Sequence, residues 1–190
     1  MATNRKNSTA NNTTVEAVDT VVSAASSVAV VEKEVVKREE LKLDTYVPCV
    51  SMVKNGKLVY TSKRQLGYNV IWAQFGDVQY IELKELMAMR STDVSFFVEN
   101  WIVIEDSFEM KDEVLKKLHV TEMYRNAIGS EDVETLFVLP IDEMIKRIAA
   151  MTNSMRESVY LQAKEYVASE NLDSIKRVKA LETALGKKLI

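Results

Sequence analysis

Between Tyr46 and Glu105 apolar residues alternate with polar ones in five short runs, and beyond Glu105 they recur at helical spacing. Before Tyr46 there is neither period until a valine-rich segment opens at Val28. Tyr46–Val53 leads into Lys54-Asn55-Gly56-Lys57, and Leu58–Ser62 leads out. An Asn-Gly pair between two such runs predicts a β-hairpin closed by a type I′ turn, in which both central residues need φ > 0. Tyr68–Phe75 reads as a third strand, with Tyr68, Val70 and Trp72 on one face and Ile71, Ala73 and Phe75 on the other. Gly76-Asp77 interrupts it. Val78–Leu83 then reads as a fourth strand that runs into a short helix, Lys84–Arg90, with Leu83, Leu86, Met87 and Met89 inward and Ser91–Asp93 as its stop. The pattern assigns Val94–Asn100 to neither class, and Trp101–Ile104 alternates as a fifth strand. Five short strands and one helix predict a small SH3-like β-barrel or rolled sheet, its core filled by Trp72, Trp101 and their aromatic neighbours.

Past this region the period turns helical. Asp106 or Ser107 is placed to cap a helix through Met110–Leu118, and Thr121 to start a turn or two ending at Gly129 in a left-handed stop. Ser130 is placed to cap Glu131–Phe137. Pro140 opens Ile141–Met151, whose stripe is Ile141, Met144, Ile145 and Ile148. The last forty or so residues read as a helical hairpin. Its first arm starts at Ser154, with Met155, Val159, Ala163, Tyr166 and Val167 near one stripe. Its second starts at Asp173 or Ser174, with Ile175, Val178, Leu181 and Leu185 inward, and ends at Gly186. The fold class is therefore α+β: a low-complexity arm over 1–43, a small β-barrel domain over 44–106 and a helical region over 107–190.

The arm differs from the rest in kind. Residues 1 to about 27 are built from Asn, Thr, Ser, Ala and Val, with no large side chain to offset the entropy of ordering them. In Val28–Leu43 four acids and four bases interleave with valines and leucines. Valine favours an extended arm, whereas Val28, Val31 and Val35 share one helical stripe; both forms stay open. Either way Val28, Val30, Val31, Val35 and Val36 are candidate partner contacts, since an arm of this composition gains order only on a partner.

Charge narrows the partners. With 28 acids against 25 bases the net charge is −3, so nothing predicts nucleic-acid binding for the chain as a whole. A local basic cluster, Lys54, Lys57, Lys63 and Arg64, supplies further candidate contacts and an alternative reading as a nucleic-acid-binding or regulatory module. The single cysteine, Cys49, lies in an apolar strand and reads as a small buried hydrophobe. The single histidine, His119, has no second histidine or cysteine near it to share a metal. No nucleophile–base pair, Gly-rich phosphate loop or ligand cluster is visible, so neither an enzyme nor a cofactor is expected. The longest uncharged apolar-leaning run, Thr20–Val31, is too short to cross a bilayer and lacks the apolar block and cleavage site of a signal peptide. A protein kept inside a cell until assembly or lysis is the expectation.

One resemblance adds context. The string Trp72-Ala-Gln-Phe75-Gly76-Asp77, then Glu82-Leu83-Lys-Glu85-Leu86-Met87-Ala-Met89-Arg90-Ser91, then Phe96-Phe97 and Trp101-Ile-Val-Ile104, resembles a family of proteins encoded by tailed phages and prophages. Lys57–Tyr60 before it and Leu172–Glu182 near the end fit the same likeness, which covers 46 to about 190. The resemblance implies a virion structural protein of the head, neck or tail, assembled in the host cytoplasm. It further implies other virion proteins and copies of itself as partners, in a symmetric assembly. It brings no catalytic residues.

Overall fold

The first strand is the central strand of a sheet, whereas the third, with apolar residues on both faces, lies in a sheet of two. β1 (Tyr46–Ser51) pairs antiparallel with β4 (Val78–Glu82) on one side and with β5 (Ile102–Ile104) on the other, in the computed structural model of the chain. All of β1 except Tyr46 is buried. Pro48 sits mid-strand without penalty: its carbonyl accepts from the Glu105 amide at 3.1 Å, so the absent N–H also faces the β5 side, past the end of that strand. β2 (Leu58–Thr61) and β3 (Asn69–Trp72) form a separate two-stranded sheet, with Leu58 opposite Trp72 and Val59 opposite Ile71.

Five strands were expected and five are present among the described residues, but they pair differently and do not close into a barrel. The Asn55-Gly56 hairpin does not form: β1 and β2 are in different sheets, and only Gly56 of the pair has positive φ (+99°). The cause lies 104 and 106 residues away in α6 (Asn153–Ala168). Ser158 donates its hydroxyl to the Met52 carbonyl at 2.6 Å and accepts from the Lys54 amide at 3.3 Å. These bonds take the chain out of β1 before it can turn back on itself, and a buried tertiary contact outweighs a local turn preference. The hairpin that does form, β2–β3, is joined by residues 62–68, where Ser62 Oγ accepts from the amides of Arg64 and Gln65.

Seven helices complete the described residues, which are 41–172 and 174–190. α1 (Leu83–Thr92) follows β4 directly and buries Leu83, Glu85, Leu86 and Met89; Met87, expected inward, is exposed. The unassigned stretch holds α2 (Ser95–Val98), which drives Phe96 and Phe97 into the core. α3 (Lys111–Lys117) starts at Met110 with no side-chain cap, and Asp106 pairs with Lys111 instead of capping. The chain then turns at His119 (φ +55°) and passes through turns over Thr121–Asn126 with no helix. Gly129 is not left-handed, and Ser130 does not cap α4 (Asp132–Val138). α5 (Ile141–Ala149) starts after Pro140 as expected, with Met144 and Ile148 buried. α6 is capped by Thr152, whose Oγ1 accepts from the Met155 amide at 3.3 Å, rather than by Ser154. α7 (Ile175–Leu185) packs on α6 and α5 and ends at Gly186 in the left-handed region (φ +68°); its Ile175, expected inward, is exposed.

The fold is α+β with small antiparallel sheets and C-terminal helices. One hydrophobic core runs from β1 through α1 and α2 to α7, so the strand and helix regions, from Leu41 onward, form one unit. Leu41 and Leu43, assigned from sequence to the arm, belong to that unit: Leu41 packs on the core, and the Leu43 carbonyl accepts from the Lys84 amide at 2.9 Å.

Candidate binding surface

The β2–β3 hairpin is fixed to the body by side chains alone. Among the described residues its two strands share backbone hydrogen bonds with each other and, apart from the residues that continue the turn, with nothing else. Its inner face carries Leu58, Tyr60, Val70 and Trp72, all buried. Trp72 is fully buried, and its indole N–H donates to the Cys49 carbonyl of β1 at 2.8 Å. Phe96 of α2 lies against three rings, with centroids 5.7 Å from Tyr60, 6.4 Å from Trp72 and 5.4 Å from Trp101. Trp101, expected to be buried like Trp72, is only partly so, and its N–H donates to Ser154 Oγ at 3.0 Å.

A buried carboxylate completes the attachment. Glu85 is 2% exposed and takes the Tyr60 hydroxyl on Oε1 at 2.8 Å, while Arg64 forks onto Oε2 with Nε at 3.1 Å and a terminal nitrogen at 2.9 Å. Burial pushes this carboxyl up. Hydrogen bonds from Ser62, Tyr60 and Arg64, with the Arg64 charge, outweigh it and hold the group below its usual range. Burial, with the Glu85 bond and charge, moves the Tyr60 hydroxyl in the other direction, well above the ordinary phenol. Helical spacing places Glu85 one turn before Met89 on the buried stripe of α1.

The basic cluster is divided. Lys54 pairs with Glu165 of α6 at 2.9 Å and lies 5.5 Å from the centre of the Phe75 ring; Lys63 pairs with Asp93 at 2.9 Å; Arg64 is held by Glu85. Lys57, just before β2, is exposed and makes no ion pair among the described residues. The candidate contacts Val28, Val30, Val31, Val35 and Val36 lie outside the described residues. Cys49 is buried and its thiol is pushed far up by that burial.

The outward face of the hairpin carries an apolar pair beside Thr61 and Asn69. Val59 and Ile71, directly opposite each other, are 43% and 52% exposed, and Leu66 in the connecting loop is fully exposed. Elsewhere, a cavity of about 470 Å³ beside α5 is lined by Arg125, Lys146, Arg147 and Glu143, but Arg125 is paired with Glu122 and Arg147 with Glu143. Two smaller cavities share Asp106, Gly129 and Asp132, and no group of three metal-ligating side chains occurs among the described residues. Nor is any described helix long and apolar enough to cross a membrane.

The residues that carry the phage-like string have structural work in this setting. Asp77 Oδ2 accepts from the amides of Ala73 and Gln74 at 2.7 and 3.1 Å, and Gly76 supplies positive φ (+82°), so the Trp72–Asp77 segment is a tight turn between the sheets. Glu82, Leu83, Glu85, Leu86 and Met89 seat α1, and Phe96 and Phe97 fill the space beneath it. No protein-family model matches the chain, and no curated protein or solved structure shows detectable similarity to it.

Proposed function

We propose that this chain is a non-enzymatic structural protein of a tailed-phage particle, a head, neck or tail component that works by protein–protein contact. Its strand region is read as an opened SH3-like roll. The observation that carries the reading is the β2–β3 hairpin, a two-stranded sheet with no backbone partner on its outer edges among the described residues and an exposed Val59–Ile71 pair on its outer face. Such a surface suits strand addition and apolar contact with a neighbour. The phage-like string supports the same reading, because its residues serve the fold and leave the surface to make the contacts. Multivalency supplies the strength: an arm and a domain on one tether raise the effective concentration of each at the next subunit.

The nucleic-acid alternative draws less support, since Lys54, Lys63 and Arg64 are each engaged with an acid of the same chain. Mass spectrometry of purified, washed particles from the host that carries the gene tests the proposal. Stoichiometric, symmetry-related copies are expected. Absence from the particles, together with salt-sensitive binding to DNA, overturns it in favour of the regulatory reading.

A further inference from the structure

We infer that the outer edge of β2 receives the Val28–Val36 segment of a second copy as an added antiparallel strand. The inference rests on the proposed assembly role of the arm, and it names the surface on which that arm acts. Three features of β2 invite a strand. Its outer edge has no backbone partner among the described residues. Leu58-Val-Tyr-Thr61 contains no proline, glycine or charge, the residues with which edge strands are normally protected from pairing. A sheet of two strands is also marginal alone and gains from a third.

The occupant is the stretch of sequence just before the described residues. Val28-Ala-Val-Val-Glu-Lys-Glu-Val-Val36 is rich in the β-branched residue that suits a pleated, half-buried surface. The described residues begin at Leu41, anchored on the core. Residues 33–40 span up to roughly 26 Å when extended, enough to leave one copy and reach the next.

Chemistry then selects one register. Along β2, Val59 and Thr61 face outward and Leu58 and Tyr60 inward, and Lys57 has the outward parity. Setting Val30 opposite Val59 in the antiparallel sense brings Val28 to Thr61 and Glu32 to Lys57, the one cation of the basic cluster without an ion pair among the described residues. On the inner side the same register sets Val31 beside Leu58 and Ala29 beside Tyr60, small apolar groups against a buried face. Sliding the added strand by two residues puts Glu32 over Val59 or Val30 over Lys57, so both alternatives lose a matched pair.

The test uses the full-length chain. Two differently tagged copies are co-expressed, one carrying Val30→Cys and the other Val59→Cys, and mild oxidation is followed by mass spectrometry of the linked peptides. Cys49 is buried and adds little background. A disulfide between the tags is expected, whereas Tyr80→Cys, exposed on β4, in place of Val59→Cys gives none. Lys57→Glu in the receiving copy lowers the yield by about two- to fivefold, and Glu32→Lys in the donating copy restores it. The inference is overturned by the absence of a disulfide between the tags, by equal yield at residue 80, or by a Lys57→Glu loss that Glu32→Lys does not repair. None of these bears on membership in the particle, which the particle mass spectrum decides by itself.

Discussion

The three-stranded sheet and the β2–β3 hairpin are built from similar residues and held in opposite ways. β1 is paired by backbone on both sides and buried along almost its whole length, so its position is set by a continuous ladder. The hairpin has a ladder only within itself and is fixed by Trp72, Tyr60, Arg64 and the inward half of each strand. The first arrangement consumes its hydrogen-bonding edges and both faces, whereas the second leaves an edge and a face in reserve. The proposed role, that of a protein stable alone and adhesive in company, would use both kinds of sheet.

If side chains alone hold the hairpin, their removal should cost more than their number suggests. Trp72→Ala should destabilise the protein by about 3–5 kcal/mol, since it empties a fully buried site and removes the indole bond to the Cys49 carbonyl. Trp101→Ala, at a partly buried ring, should cost clearly less. Denaturant melts of the two variants decide it: equal losses mean that the hairpin is not anchored mainly through Trp72.

Glu85→Gln comes next. It weakens the bonds to Tyr60 and Arg64 without emptying space, and a loss of about 1–3 kcal/mol at neutral pH is expected. The pH dependence has a definite sign. Because the carboxyl is held below its usual value when folded, its contribution is full above the unfolded pKa of about 4.3 and fades as pH falls through the lower folded value. The gap between wild type and Glu85→Gln should therefore narrow below about pH 4. A gap that stays constant from neutral pH to acid would remove the network from the account of what holds the hairpin.

The contrast between the sheets also explains how much of the fold was legible in the sequence. Strand existence was legible because alternation is local: all five strands lie where the period-2 runs lie. Pairing was not, because the deciding contacts were Ser158 to Met52 and Lys54, separated by 106 and 104 residues and made by a side chain without any distinctive signal. Helix interiors such as Met144–Ile148 were readable from their stripe, while caps were not. Thr152 was preferred to Ser154 because Thr152 also donates to the Glu99 carbonyl at 3.0 Å, a tertiary bond invisible to local rules. In the candidate surface, Lys54, Lys63 and Arg64 were found as a cluster, but the acids that occupy them come from separate places, Glu165 in α6, Asp93 just past α1 and Glu85 within α1. Val59 and Ile71 were seen as strand residues; their exposure follows only from which face Trp72 turns to the core.

Lys54 stands where the chain passes from one sheet to the other, and its variant has a smaller effect. Lys54→Ala removes an ion pair whose acid, Glu165, is largely exposed, together with a ring contact to Phe75. A loss of no more than about 1 kcal/mol is expected, and part of it should vanish in high salt. A loss as large as that of Trp72→Ala would mean that the crossing, and not the hairpin's inner face, fixes the two sheets together.

The smallest effect is expected where the comparison is sharpest. Val59→Thr and Ile71→Thr keep a β-branched side chain on the strand and change only half-exposed groups on the hairpin's outer face. With no packing lost, stability should move by less than about 0.5 kcal/mol for either variant. Self-association of the full-length chain at high concentration should weaken, because the same side chains supply the apolar part of any added contact. Sedimentation velocity beside a thermal melt separates the two effects. A melt that falls by several degrees would show that the outer face is already covered within one copy, and the hairpin would then be as closed as the three-stranded sheet.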